Sequence, residues 1–227
     1  MDVFRENRHE ILTAFGLTLE MVVAAGVIAF VVGSILAALR VGPIPLGRAI
    51  GTGYVYTVRN TPLLVIMLLF AFGLPQLDIR PEFSLGDAEL LKFNVFVVFA
   101  TVALGLYTAS FVCEALRSGI NAIPLGQAEA ARSIGMTFGQ TLRHVVLPQA
   151  FRAVIPPLAS ALIAMTKNSS VAAGVGVTEA GSRMHKLTND NASAGVQIFI
   201  GFALGYMFLV GIIALTASLI ERKLKVA

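Results

Sequence analysis

Five long apolar runs constrain this chain more than any other feature. They lie at about 14–39, 54–74, 94–116, 153–177 and 196–219. Each is close to or longer than the about 20 residues a helix needs to cross a bilayer. Glycine and proline inside them do not count against helix, because both are commoner in membrane helices than in soluble ones. Composition agrees. Charged residues make up 13% of the 227, about half the share of a soluble globular domain, and the mean hydropathy is +0.81. The expected fold is therefore an all-α integral membrane protein, a single transmembrane domain over residues 1–227 with no room for a separate catalytic domain. The single cysteine, Cys113, excludes a disulfide framework and reads as a small packed hydrophobe. Asp2, Glu6 and Glu10 ahead of the first run are the wrong chemistry for a signal-peptide n-region.

Five spans place the termini on opposite sides, and lysine and arginine near the span ends decide which side is which. With the C-terminus inside, the cytoplasmic segments hold Arg40, Arg48, Arg117, Arg132, Arg143, Arg152, Arg222, Lys223 and Lys225 against Glu129 and Glu221. The outer segments hold Arg5, Arg8, Arg80, Lys92, Arg183 and Lys186. These face Asp2, Glu6, Glu10, Asp78, Glu82, Asp87, Glu89, Glu179 and Asp190. Nine basic residues inside against six outside predict an outer N-terminus and a cytoplasmic C-terminus. The net charge of +4 then reports orientation, and nucleic acid is not needed to explain it.

The longest cytoplasmic connection, about 118–152, carries the most specific pattern. Pro124 and Gly126 break the preceding helix, and Gln127 to Ile134 reads as a short helix ended by Gly135, a natural C′ residue. Small Ala130 and Ala131 would let it lie closely on another surface, with Glu129 and Arg132 at its edge. Glu129-Ala130-Ala131, three residues, Gly135, nine residues, then Val145-x-Leu147-Pro148 resembles the EAA signature of bacterial ABC import permeases, with valine for the usual isoleucine at 145. A bare Glu-Ala-Ala would suit any amphipathic loop helix, whereas the full spacing between two spans is selective. The resemblance implies that Glu129, Ala130, Ala131 and Gly135 form a cytoplasmic coupling helix between helices 3 and 4 that fits a groove on an ATPase subunit.

The similarity narrows further to polar amino acid permeases of the histidine, glutamine and glutamate type. Arg59-Asn60-Thr61-Pro62-Leu63-Leu64 resembles their Arg-Gly-Thr-Pro-Leu-Leu segment. Tyr107 to Phe111, followed by Glu114 and Arg117-Ser118-Gly119, resembles their third span. Lys167-Asn168-Ser169-Ser170 resembles their Lys-Asn/Asp-Thr-Ser motif. The whole most resembles a glutamate importer permease. The family implies a cytosolic ABC ATPase dimer holding ATP and magnesium, a second and more often different permease, and an extracytoplasmic binding protein. It also implies a bacterial plasma membrane location.

Charged and polar residues inside spans are costly and usually face a bundle interior or a cavity. Lys167 lies past the middle of the fourth run beside Asn168, Ser169 and Ser170, with Gly174 and Gly176 following. Such an interruption reads as a discontinuous helix lining a cavity, where an ammonium could hold a substrate carboxylate. Snorkelling, or an ion pair with Glu20 or Glu114, is the alternative. Arg59 precedes the kink at Pro62 and suits either a gate or snorkelling. Asn60, Thr61, Thr108 and Ser110 could bond a zwitterion, or bridge packed helices. Glu114 lies three residues before Arg117, which favours an intrahelical pair over a substrate contact.

His9, His144 and His185 fall on different sides, so no metal site is expected, nor any catalytic residue. No Gly-x-x-x-x-Gly-Lys-Ser/Thr occurs, and Gly51-Thr52-Gly53 reads as a flexible turn, so no cofactor is expected on this chain. The favoured reading is the transmembrane permease of an ATP-driven importer for a polar amino acid, with membrane lipid as its surroundings. An ion-gradient-driven secondary transporter or channel subunit would use Glu20, Glu114 and Lys167 for coupling but leaves the EAA loop unexplained. A non-transporting membrane assembly or sensor subunit leaves the polar cluster unexplained.

Overall fold

The computed structural model describes residues 2–79 and 95–225, and all regular structure among them is helical. Arg80, Glu82, Asp87, Glu89 and Lys92 of the charge count lie outside the described residues, as does Asn94 at the start of the expected third span. A short α1 (Asp2–Glu6) leads into α2 (Arg8–Val41). Its 34 residues run about 50 Å, ample for a tilted span. Helix α2 ends at Gly42, whose extended backbone is what a residue before proline prefers. Pro45 then starts α3 (Pro45–Arg59), its fixed φ suited to a first helical position.

The expected second span, 54–74, is not one straight helix. Helix α3 is followed by α4 (Leu63–Leu68), a π-helical turn at Leu69–Gly73, and α5 (Leu74–Gln76), with a 102° bend at the break. Pro62 causes the break: it lacks an N–H, and it pushes Thr61 away from helical backbone. Gly51-Thr52-Gly53, expected as a turn, lies inside α3 instead. The close passage of α2 explains the first glycine, since a Cβ there would meet Arg40 Cγ at 2.7 Å.

Helix α6 (Val95–Asn121) forms the centre, and 61% of its most apolar window is buried, against 11% for the last span. It packs on α2 through small residues. Ala25, Ala29, Gly33 and Ala37 recur every fourth position along α2 and face Gly105, Ala109 and Cys113 on α6. A Cβ at Gly33 would lie 2.7 Å from Val112 Cβ, and one at Gly105 2.8 Å from Ile28 Cβ. In lipid this close approach is the main source of helix association.

The connection at 118–152 is largely helical. It contains α7 (Leu125–Ser133), α8 (Phe138–Thr141) and a second π turn at Leu142–Val146 that runs into α9 (Leu147–Asn168). Both π turns precede a proline, Pro75 and Pro148. A proline ring clashes with the carbonyl four residues back, and the wider turn relieves that clash. After α9 a 3₁₀ segment, Ser169–Val175, ends at Gly176 with φ +86°, where a side chain would be strained. Helices α10 (Ala180–Asp190) and α11 (Gly195–Lys225) complete the chain, with a 3₁₀ turn at Ala192–Ala194 between them.

Candidate translocation path and coupling loop

Two cavities flank α6 and share Phe111 and Glu114 in their walls. The larger, about 800 Å³, opens between α6 and α9 and is lined by Arg117, Ser118, Pro157, Ser160 and Ala164 besides the shared pair. The smaller, about 410 Å³, lies against α3 and is lined by Arg40, Thr52, Tyr56, Arg59 and Asn60. Both fall in the size range of small-molecule sites, and together they form a basin with Phe111 and Glu114 as its central ridge.

Charge in this basin is built from three helices. Arg40 of α2 donates to the Glu114 carboxylate, passing the gap that Gly51 leaves in α3. Arg117 donates to the same carboxylate from Nη2 at 2.9 Å and from Nε at 3.3 Å. Glu114 therefore bridges two helices, where the sequence suggested a pair within one. Arg59 places its guanidinium 5.2 Å from the centre of the Phe111 ring, a cation–π contact at the basin wall. Three arginines against one carboxylate leave the basin net positive.

The other candidates separate. Asn60 and Thr61 sit at the break, their side chains donating to the carbonyls of Tyr56 and Thr57. Thr108 and Ser110, expected along the path, are buried at 2% and 0% exposure, and Ser110 donates to the Tyr107 carbonyl. Ser169 is sealed as well and donates to Thr166. Their hydroxyls close local packing, because Gly105, Ala109 and Ala172 bring neighbouring backbones too near for a cavity. Lys167 is exposed and Asn168 half-buried, and Ser170 donates to the Lys167 carbonyl. Lys167 follows Ser160 and Ala164 along one face of α9, one turn beyond the larger cavity. It makes no ion pair with Glu20 or Glu114 among the described residues.

A second polar centre lies at the start of α10. Glu179, counted from sequence among the outer acidic residues, is 0% exposed. It is the N-cap of α10 and accepts the Gly181 and Ser182 N–H groups, both at 2.8 Å. Tyr206 of α11 donates its hydroxyl at 2.8 Å. Thr18 of α2 lies 3.4 Å away and accepts the Ala180 N–H at 3.1 Å. One carboxylate thus ties three helices. Nearby, Arg183 of α10 pairs with Glu10 and donates to Asn7 at 3.0 Å.

At the opposite end, α7 leaves Glu129 and Ala130 exposed and buries Ala131. The helix closes in a Schellman motif: Gly135 N–H reaches Arg132 O at 3.0 Å, and Met136 N–H reaches Ala131 O at 3.2 Å. Gly135 has φ +90°, which its missing Cβ permits. Leu125, Ile134 and Phe138 stand more than 70% exposed around this helix, an apolar rim on an otherwise polar loop.

Comparison with known proteins adds an independent line. The profile of the family described as "Binding-protein-dependent transport system inner membrane component" matches residues 13–226. The glutamate transport system permease protein GluC of Corynebacterium glutamicum is 42% identical over 201 residues, covering 88% of this chain and 87% of that protein. The glutamate/aspartate import permease protein GltJ of Escherichia coli K12 is 35% identical over 218 residues, covering 95% and 87%. Among solved structures, an amino acid ABC transporter crystallised with histidines superposes with a TM-score of 0.82 at 25% identity, covering 97% of this chain and 96% of that one.

Proposed function

The chain belongs to the family of binding-protein-dependent transport system inner membrane components and is an amino acid permease of an ABC importer, and from that premise we propose that its cargo is glutamate. The observation that carries the cargo assignment is the 42% identity with a glutamate permease along 88% of the chain. The basin supports it physically. An anionic amino acid carries one carboxylate more than a neutral one, and in a cavity poor in water that charge needs a cation or oriented donors. Arg40, Arg59 and Arg117 outnumber Glu114 there.

In this reading α7 is the coupling helix. Glu129, Ala130 and the left-handed turn at Gly135 shape the contact, and the apolar rim of Leu125, Ile134 and Phe138 is surface of the kind that a partner covers. A cytosolic ATPase dimer binds ATP and magnesium, a second and different permease closes the basin, and an extracytoplasmic binding protein delivers the solute. The protein sits in a bacterial plasma membrane with its N-terminus outside and α7 in the cytoplasm.

The test is uptake by vesicles carrying the complete complex. Labelled glutamate should enter with ATP inside and be competed poorly by glutamine, arginine or histidine. Preferred uptake of a neutral or basic amino acid would remove the cargo assignment. Glu129→Lys should assemble normally but lose solute-stimulated ATP hydrolysis. Wild-type stimulation in that variant would remove the coupling assignment.

A further inference from the structure

A third cavity has no part in this reading. It is a groove of about 370 Å³ between α2, α6 and α9, at the end of the bundle that carries α7. Its walls include Phe30, Ala38, Val41, Leu116, Phe151 and Leu158, and Ser34 is the one polar residue lining it. Two exposed arginines follow or precede lining residues closely along the chain. Arg48 donates to the Gly42 and Pro43 carbonyls at 3.2 and 3.4 Å, directly beyond Val41 of the lining. Arg143 lies one turn before Leu147, another lining residue, on the same side of the helix. Neither forms an ion pair among the described residues.

We propose that this groove is a binding site for the acyl chain of an anionic phospholipid, with Arg48 and Arg143 holding its phosphate. The lining selects hydrocarbon, since Ser34 apart every wall residue is apolar. Charge selects the headgroup. With the orientation argued above, the mouth opens at the cytoplasmic leaflet, where anionic lipids concentrate and each nearby arginine favours them. The site rests on that orientation and not on the identity of the cargo.

The chain contains no tryptophan, so a single one reports its own surroundings. Phe151→Trp places it in the groove, and Phe208→Trp places it on the exposed face of α11. The full chain is reconstituted in phosphatidylcholine containing phosphatidylglycerol, with bromine on the acyl chains of one lipid or the other. At Phe151→Trp, brominated phosphatidylglycerol should quench with roughly tenfold or greater preference, the effect of two arginines near a membrane surface. At Phe208→Trp the two lipids should quench alike. Adding Arg48→Gln and Arg143→Gln, or filling the groove with Ala38→Phe, should erase the preference. Leu158→Trp replaces the first reporter if that variant fails to assemble. Equal quenching at the groove would mean bulk lipid only. No quenching by either lipid would mean that protein covers the groove. Preference surviving the double arginine variant would mean that the mouth is misassigned. Each of these three results overturns the proposal.

Discussion

Glu179 and Glu114 are both carboxylates set among helices, yet their surroundings are opposite. Glu179 meets uncharged donors: two backbone N–H groups, a tyrosine hydroxyl and a nearby threonine, with no water contact. Glu114 meets two arginines, keeps 24% of its side chain exposed, and forms the ridge between two cavities. The first arrangement is closed, because every donor is fixed in place and nothing could exchange with it. The second is open, because its arginines can be shared with a solute that enters the basin. In this protein a carboxylate surrounded by neutral dipoles joins three helices, and one surrounded by cations lines the open basin.

The largest expected effect lies at the closed centre. Glu179→Ala strips the acceptor from Gly181, Ser182 and Tyr206 together. Each stranded donor costs about 1–3 kcal/mol, so a loss of about 3 kcal/mol or more is expected. Thermal unfolding in detergent should show it as a fall in midpoint, with α10 released from α2 and α11. Glu179→Gln should recover part of this. Its single oxygen can serve Gly181 and Tyr206, while its NH₂ meets the Ser182 N–H, donor against donor. A Glu179→Ala protein of wild-type stability would end the distinction between the two centres.

Glu114→Ala comes next and should act differently. It frees Arg40 and Arg117 in a partly solvated basin, so the stability loss should be about 1–2 kcal/mol after screening. Uptake, however, should fall by far more than stability explains, because the ridge charge is gone. A double-mutant cycle with Arg40→Ala measures the pair directly. Transport unchanged in Glu114→Ala would place this carboxylate in the same structural class as Glu179.

The two centres also differ in how much of them sequence reveals. Glu114 and Arg117 are three apart in one helix, so local spacing exposes that half of the cluster. Arg40 enters from 74 residues away, by way of a gap at Gly51 that reads as a turn when the neighbouring helix is unknown. Glu179 offers one local sign, its place before a helix, but its partners Thr18 and Tyr206 lie 161 and 27 residues off. Charge counting therefore placed it only among the outer acidic residues. The break at Asn60–Pro62 was signalled by the proline, though its 102° angle was not. The span pattern was readable because lipid imposes it along the sequence. The polar centres were less so because packing assembles them across it.

Tyr206→Phe probes the closed centre more gently. It keeps the ring between Phe15 and its neighbours and removes the 2.8 Å hydroxyl contact. Glu179 retains its two N–H donors, so about 1 kcal/mol should be lost, well short of Glu179→Ala. A loss equal to the alanine variant would show that the tyrosine, and not the helix cap, dominates this centre.

The smallest effect on the fold should come from Arg59→Met, where the comparison is sharpest. The Arg59 side chain is exposed at the break and makes a cation–π contact worth about 0.5–1 kcal/mol. Methionine keeps length and still covers the Phe111 ring, so unfolding should barely move. Uptake should not be so tolerant. If Arg59 receives a solute carboxylate, losing that charge-assisted contact costs about 1.5–3 kcal/mol, or roughly ten- to a hundredfold in affinity. The loss should be larger for glutamate than for glutamine, which separates charge from shape. Lys167→Met is the paired control. Lys167 lies a turn beyond the larger cavity, so its removal should raise the KM for glutamate less than Arg59→Met does. Equal losses in both variants would extend the positive surface along α9 to Lys167. The reverse order would move the carboxylate contact from the α3 break to the end of α9, one of the two roles open to Lys167 from sequence.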